Sequence, residues 1–176
     1  MVGVAVLACV PAVVAAQGGL LTRDEAMAAV YQGARVEAER VFLTPRQIAE
    51  ASAIARVEIE SGLIARYVAV RDGVVVGRAY VDTHVVRTKR ESLLVSLDTD
   101  GRVQRIDVTA FLEPPDYQAS ARWLRQYNQR PLDDDLALQR AIRSMAGATL
   151  TAVATTDAVR RVLAVDRVLE AEAAAP

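Results

Sequence analysis

Apolar residues follow a helical spacing near the start of the chain. They recur about every four positions after Thr22-Arg23-Asp24-Glu25, a capping box in which an acidic residue stands three positions after a threonine. This pattern predicts a helix over roughly 23–39. Thr44-Pro45-Arg46-Gln47 is a second capping box, with proline at the first helical position, and it predicts a helix that ends near Ala55.

The spacing of apolar residues changes to a period of two in the middle of the chain. Asp72-Gly73 is flanked by the alternating runs "LIARYVAVR" and "VVVGRAYVDTHVVR", and Thr99-Asp100-Gly101 by "SLLVSLD" and "RVQRIDVTAF". Alternation on both sides of such turns is typical of β-hairpins, so we predict an antiparallel sheet of about four strands with helices on one face. In the last strand Val103, Ile106 or its neighbours, and Val108 are expected to point inward.

Helical patterns return after Pro114-Pro115, which ends the fourth strand. The expected helices span about 117–127, 132–144 and 149–169, the last of them beginning between Thr149 and Ala152. Helices therefore flank the sheet at both ends of the sequence. The order of elements predicts an α+β fold, with residues 17–176 forming a single domain.

Composition restricts the chemistry that the protein can carry out. A net charge of −1 and an aromatic content of 5% argue against nucleic-acid binding. One cysteine, Cys9, and one histidine, His84, are too few for a thiolate zinc site, an iron–sulfur cluster or a C-x-x-C-H haem site. No G-x-S-x-G motif accompanies His84, so we expect no catalytic residue of the protein itself. Asp133-Asp134-Asp135 is typical of a capping cluster rather than a metal site, and Arg160-Arg161 of a solvated helix face.

The first sixteen residues, "MVGVAVLACVPAVVAA", are almost purely apolar. A bilayer-spanning helix needs about 20 residues, so this run is short for a span, and its small-residue ending before Gln17 is typical of a secretory signal. The prediction is a signal peptide over 1–16 and a periplasmic or extracellular protein. An N-terminal membrane anchor, a buried helix and a lipoprotein signal at Cys9 are the alternatives.

Small residues precede the last predicted helix. Gly147 and Ala148 allow a ligand to approach the backbone closely, and the free N–H groups at a helix start favour an anion there. A phosphate bound at this point, or esterified to the Thr149 hydroxyl, is one interpretation. The other is a simple helix boundary, in which Thr149 or Thr151 caps the last helix and Gly147 ends the preceding one.

This segment and the helix after it resemble a known family. Gly147-Ala148-Thr149, the hydroxyl residue Thr151 and the run Thr156-Asp157-Ala158-Val159 are similar to the FMN-binding domain. That domain occurs in the C subunit of the sodium-pumping NADH:quinone oxidoreductase and in the G subunit of the Rnf complex. There a threonine carries FMN through a phosphoester bond, which an exported flavin transferase makes from FAD with magnesium. The resemblance implies the cofactor-binding residues Ala146, Gly147, Ala148, Thr149, Leu150 and Thr151, with Thr149 as the attachment point.

A weaker similarity extends over roughly residues 65–170. The segment Thr83–Lys89 resembles the histidine- and threonine-bearing strand that lies near the flavin ring in the family. The resemblance implies that His84 or Thr88, which share one face by alternation, hydrogen-bonds the cofactor. A solvated strand end is the alternative.

The sequence departs from the family pattern at two positions. Arg143 stands where the family usually has an acid, and Ala146 where it has a hydroxyl residue. Covalent FMN, FMN held without a bond and absence of FMN therefore stay open, and Arg143 is a candidate to meet the phosphate directly. The aromatic residues Trp123, Tyr127 and Tyr117 are expected to pack against the sheet rather than against the cofactor.

The resemblance implies an electron carrier. Its expected partners are a flavin transferase for maturation and redox proteins or a membrane electron-transport complex. A flavin-free binding module of the same fold and a small flavin-dependent reductase are the alternative functions.

Overall fold

A computed structural model describes residues 20–174 as an α+β fold. The predicted signal peptide lies outside the described residues. A five-stranded sheet is combined with four α-helices and two short 3₁₀ turns. The elements are α1 (Arg23–Val30), β1 (Arg35–Phe42), α2 (Pro45–Ala55), β2 (Leu63–Arg71), β3 (Val74–Val85), β4 (Arg90–Leu97), β5 (Val103–Phe111), α3 (Ala121–Leu124) and α4 (Thr149–Ala173), with the 3₁₀ turns at Pro115–Tyr117 and Arg125–Tyr127.

The sheet is an antiparallel meander in the order β1-β2-β3-β4-β5. Both predicted hairpins are present, and the first turns through Asp72 at φ 52° and Gly73 at φ 78°. Two consecutive positive φ angles are the backbone that a tight two-residue hairpin needs. The inward positions of the last strand are as predicted, since Val103, Ile106 and Val108 are all buried. The odd spacing among them arises from register shifts between β4 and β5.

Helices cover the sheet on both faces, so the prediction of helices on one face is wrong. The larger core lies between one face and the helices α2, α3 and α4. A smaller core lies on the opposite face under α1, where Tyr31 donates from its hydroxyl to the backbone carbonyl oxygen of Arg78 at 2.6 Å. Both capping boxes form as predicted, at Thr22 with Glu25 and at Thr44 with Gln47.

The long helix α4 is attached to the sheet by a buried ion pair. Asp166 accepts hydrogen bonds from the Arg78 guanidinium at 2.6 and 3.0 Å and from the Tyr80 hydroxyl at 2.8 Å. Arg78 and Asp166 are 4% and 3% exposed, so this pair is shielded from water and salt.

The sequence prediction of one helix over 23–39 is wrong in its second half. The helix ends at Val30, Gly33 turns the chain at φ 73°, and Arg35–Phe42 forms the edge strand β1. The residues of β1 favour helix by intrinsic propensity, but their backbone pairs along the whole of β2. Tertiary pairing has therefore overridden local preference, and the sheet has five strands instead of about four.

The predicted helix over 132–144 is also absent from the described structure. Asp133 caps a turn by accepting from the backbone N–H groups of Asp135 and Leu136. Leu136 and Ile142 are fully buried, and the guanidinium of Arg160 takes the carbonyls of Asp133 and Leu136 that a helix would use internally. Within residues 20–174, no helix is both long enough and apolar enough to cross a membrane.

Arg160 and Arg161 do not form the solvated face that we expected. Arg160 is 8% exposed and also donates to the carbonyl of Ala55, the last residue of α2. Arg161 donates two hydrogen bonds to the carboxylate of Asp82 on β3. Both arginines thus fasten α4 to its neighbours.

We expect Asp166→Asn to destabilise the protein by up to about 3–5 kcal/mol, because it removes the buried counter-charge of Arg78 and leaves only the partly exposed Glu170, 3.3 Å away. Asp134→Asn is the control, since Asp134 pairs with Arg56 on the surface at 2.9 Å and its loss should cost less than about 1 kcal/mol. Urea denaturation monitored by circular dichroism measures both. Equal losses in the two variants would contradict a structural role for the buried pair.

Candidate functional site

A pocket of about 310 Å³ opens at the beginning of α4. One wall is the start of the helix and the residues before it, and the other comes from the turn after β3 and the segment after β5. The lining residues are Val86, Arg87, Glu113, Tyr117, Gly147, Ala148, Thr149, Leu150 and Thr151. Five of the six residues of the predicted segment therefore border one cavity, and the sixth, Ala146, is exposed next to it.

The start of α4 has no side-chain cap. Ala148 occupies the capping position, and Thr149 is the first helical residue. The interpretation in which Thr149 or Thr151 caps the helix is therefore wrong. The first intrahelical hydrogen bond runs from the Ala152 N–H to the Ala148 carbonyl at 3.1 Å, so the N–H groups of residues 149–151 have no partner within the helix.

Gly147 shapes the approach to this helix start. It adopts φ 77°, a left-handed conformation that favours glycine, and it follows a turn rather than a helix. A Cβ atom added there would meet no other heavy atom within 4 Å. The space over the backbone is therefore open, and the side chain of Thr149 is exposed beside it.

The opposite wall is built from a tight turn that a buried carboxylate holds in place. Glu113 accepts hydrogen bonds from the backbone N–H groups of Thr88 and Lys89 at 2.7 and 2.8 Å and from the Thr88 hydroxyl at 3.2 Å. These bonds, first that of the Thr88 N–H, lower the pKa of Glu113. Thr88 thus contacts Glu113, while its neighbours Val86 and Arg87 line the pocket.

The four lining residues of this wall were not predicted as site residues: Val86, Arg87, Glu113 and Tyr117. Alternation from His84 placed Arg87 on the other face of the strand. However, β3 ends at Val85, and side chains alternate between two faces only within a strand, so the pattern does not apply to the turn that contains Arg87. No local pattern pointed to Glu113. Tyr117 was assigned to packing, whereas it lies at the pocket and is 42% exposed.

The pocket combines donors for an anion with an apolar border. The unpaired N–H groups of α4 and the positive end of its dipole face the cavity, and the guanidinium-bearing Arg87 lies across it. Leu150 is 53% exposed at its border, beside Tyr117 and Val86. This arrangement suits a ligand with a phosphate at one end and a flat apolar body at the other.

The structure places His84 in a different cavity, of about 590 Å³, between β3 and α4. Its Nδ1 lies 2.8 Å from Asp82 Oδ1, and its Nε2 lies 3.2 Å from Oε2 of the fully buried Glu91. Burial lowers the pKa of His84, but the hydrogen bonds to Asp82 and Glu91 outweigh it and raise the pKa to about 9. Arg161 holds Asp82 from the helix side. His84 is therefore a member of a buried charge network rather than a solvated strand end.

Arg143 lies on a groove beside the pocket, among residues of the α3 region. Its N–H donates to Gln126 Oε1, and its carbonyl accepts from Trp123 Nε1, both at 2.9 Å. Trp123 in turn meets Tyr127 edge to face, with the ring centres 5.6 Å apart. Tyr127 is fully buried, and its hydroxyl contacts that of Thr156 at 2.8 Å. Trp123 and Tyr127 thus pack as predicted, and Arg143 is not among the pocket-lining residues.

Metal ligation finds no support in the part of the chain that the structure describes. Between residues 20 and 174, no group of three or more His, Cys, Asp or Glu side chains is placed to hold a metal ion.

Comparison with known proteins identifies the family of this region. The model of the FMN-binding domain family matches residues 90–164, which confirms the resemblance inferred from the sequence and indicates FMN as the cofactor. The match runs from the start of β4 into α4, so it includes Glu113, Tyr117 and the segment 146–151. Val86 and Arg87 precede it. No curated protein and no solved structure matched the chain.

The charge network of His84 predicts a loss of stability at alkaline pH. Because folding raises the pKa of His84 from 6.5 to about 9, its contribution is complete below pH 6.5 and is lost as the pH rises through about 9. We expect the free energy of unfolding to fall by up to about 3 kcal/mol over this window. The His84→Gln variant should be less stable than the wild type at pH 6.5, and its free energy of unfolding should depend less on pH. Denaturation at a series of pH values tests this, and an unchanged slope in the variant would refute it.

Proposed function

Because residues 90–164 match the FMN-binding domain family, with FMN as the cofactor, we propose that this chain is an exported electron carrier whose FMN is esterified to Thr149. The observation that supports it best is the position of Thr149. Its exposed hydroxyl lies at the first residue of a 25-residue helix, over an open backbone and with no side chain capping the helix.

The residues around Thr149 fit a phosphate. If Thr149 supplied an ester oxygen, the N–H groups of residues 149–151, which have no partner within the helix, would be available to hold the phosphate. Arg87 supplies a positive charge from the opposite wall. In the attachment reaction, the Thr149 oxygen bonds to the phosphorus on the flavin side of FAD, the pyrophosphate bond breaks and AMP leaves. The flavin transferase takes up the hydroxyl proton.

The pocket border suits a carrier rather than a substrate-converting enzyme. Val86, Tyr117 and Leu150 offer apolar contacts to a flat ring and leave one side open to a partner. Glu113, the carboxylate of this wall, is engaged by the backbone of the β3–β4 turn and is not placed as a free base. FMN supplies the redox chemistry when bound, and the protein orients it and exposes it to donor and acceptor proteins.

The apolar N-terminal segment supports the export part of the proposal, and export agrees with an extracytoplasmic flavin transferase as the maturation partner. Electrons would then pass between a membrane donor and a periplasmic or extracellular acceptor. A flavin held without a covalent bond is the second candidate, and Arg143 favours it, because this residue reverses the charge of the family's usual acid.

Covalent attachment is tested by co-expressing the full chain with a flavin transferase. We expect a mass increase equal to FMN less one water, and flavin fluorescence that survives denaturing electrophoresis. Both should vanish in Thr149→Ala and persist in Thr149→Ser, which keeps the hydroxyl. Ser144→Ala is the matched control, since it removes another exposed hydroxyl five residues earlier.

If the Thr149→Ala variant still carried covalently bound flavin, Thr149 would be excluded as the attachment point. Unlabelled wild-type protein that still binds added FMN would support the non-covalent candidate, and failure to bind added FMN would leave a flavin-free module. If labelling is poor, Arg143→Asp should increase it, because that change restores the family's usual charge.

Arg87 should contribute to FMN affinity independently of the ester bond. In a Thr149→Ala background, we expect Arg87→Gln to weaken binding of added FMN at least about tenfold, because a charge-assisted hydrogen bond contributes about 1.5–3 kcal/mol. Lys89→Gln is the control, since it removes an equal charge from the same turn outside the pocket lining. Quenching of flavin fluorescence measures both affinities. Equal weakening by the two changes would show that only net charge matters.

A further inference from the structure

We propose that the groove beside the cofactor pocket is a docking surface for an acidic segment of a partner protein. This arginine groove has a volume of about 490 Å³. It is lined by Ser120, Arg122, Trp123, Gln126, Arg130, Ala141, Arg143 and Ser144. The function proposed for Thr149 does not require it, and its recognition chemistry is separate.

The charge of the groove is not neutralised by the protein itself. Three guanidinium groups line it, and no acidic residue does. Within the described residues Arg122, Arg130 and Arg143 form no ion pair, whereas the nearby Arg56 and Arg140 pair with aspartates. Since the whole chain has a net charge of −1, the positive charge is a local excess. Guanidinium groups bind carboxylates in paired, directional hydrogen bonds, so an acidic peptide is complementary to this surface.

The floor of the groove is held in place before any partner binds. Gln126 accepts from the Arg143 N–H at 2.9 Å and donates to the Trp123 carbonyl at 3.0 Å. Trp123 Nε1 donates to the Arg143 carbonyl, and Ser120 accepts from the Trp123 N–H. These bonds join the α3 region to the segment before α4. A preorganised surface loses little conformational entropy on binding.

The composition of the groove favours a protein over a membrane. Trp and Arg are the residues most enriched at the centres of protein interfaces, and Trp123 is partly exposed between the arginines. Apart from Trp123, the one apolar lining residue is Ala141, so the groove has no large aliphatic side chain to enter a lipid layer. A basic surface without an apolar anchor suits carboxylates on a polypeptide.

The groove continues into the segment that carries the cofactor site. Ser144 lines the groove and Gly147 lines the pocket, so only two residues, Met145 and Ala146, separate the two along the chain. A partner docked on the arginines therefore lies beside Thr149. A protein that exchanges electrons with a cofactor at Thr149, or delivers one, must come close to this residue.

Trp123 provides a reporter for the test, because it is the only tryptophan in the sequence. The probe is a decapeptide of alternating Glu and Ser, titrated into the full chain at low ionic strength. We expect a saturable change in tryptophan emission that weakens as salt is added, and no change with an alternating Lys–Ser peptide. The triple variant R122Q/R130Q/R143Q should bind at least about tenfold more weakly.

The triple variant R35Q/R40Q/R46Q is the matched control. It removes the same charge from exposed positions on β1 and α2, and peptide affinity should stay within about twofold of wild type. Thermal unfolding confirms that both triple variants fold. If the groove triple does not fold, R122Q/R143Q replaces it, because neither of these side chains hydrogen-bonds within the described structure.

Three results would overturn the proposal. Equal loss of peptide affinity in the two triple variants would show that binding depends on net charge and not on the groove. The same emission change with inorganic phosphate would define a small-anion site. A response to phosphatidylglycerol vesicles with none to the acidic peptide would identify a membrane surface. None of these measurements involves FMN, so they are independent of the result at Thr149.

Discussion

The buried ion pair between Arg78 and Asp166 is the contact on which the rest of the structure depends. It lies between β3 and α4 where water is excluded, and the Tyr80 hydroxyl donates a further hydrogen bond to the Asp166 carboxylate. Breaking such a pair leaves an uncompensated charge in a medium that solvates it poorly. The pair therefore fixes how far α4 is shifted along its own axis and how it is rotated about that axis relative to the sheet. Since a helix rises about 1.5 Å per residue, it also fixes Thr149, about 26 Å away along the same helix.

Other polar contacts of α4 distribute this constraint over the domain. Arg160 reaches the end of α2 and the irregular segment that follows Leu132, and Arg161 holds Asp82 within the His84 network. Arg167 donates to the carbonyl of Leu132. Apolar packing on the larger core supplies most of the driving force for folding, while these charged groups favour the arrangement of α4 in which their hydrogen bonds form.

The pocket at the start of α4 is a consequence of that arrangement. Its first wall is the uncapped start of α4, and its second wall is the β3–β4 turn, which Glu113 holds from the segment after β5. The family match covers the first wall and Glu113 but not Arg87. The wall opposite the start of α4 thus includes a residue outside the matched region. The arginine groove next to it belongs to the same segment, so binding of cofactor and partner would share one short stretch of backbone.

Local signals in the sequence determined the capping boxes, both hairpins, the start of α4 and the small-residue segment before Thr149, because each depends on residues only a few positions apart. Tertiary structure decided the rest. Arg35–Phe42 became a strand because β2 offered a partner for its backbone, and residues 132–144 stayed irregular because Arg160 took their carbonyls. The surroundings of His84 and Arg143 also depend on distant groups, namely Arg161, which holds the Asp82 partner of His84, and Trp123. A linear pattern cannot encode such contacts, since they exist only after strands and helices far apart in the chain have packed together.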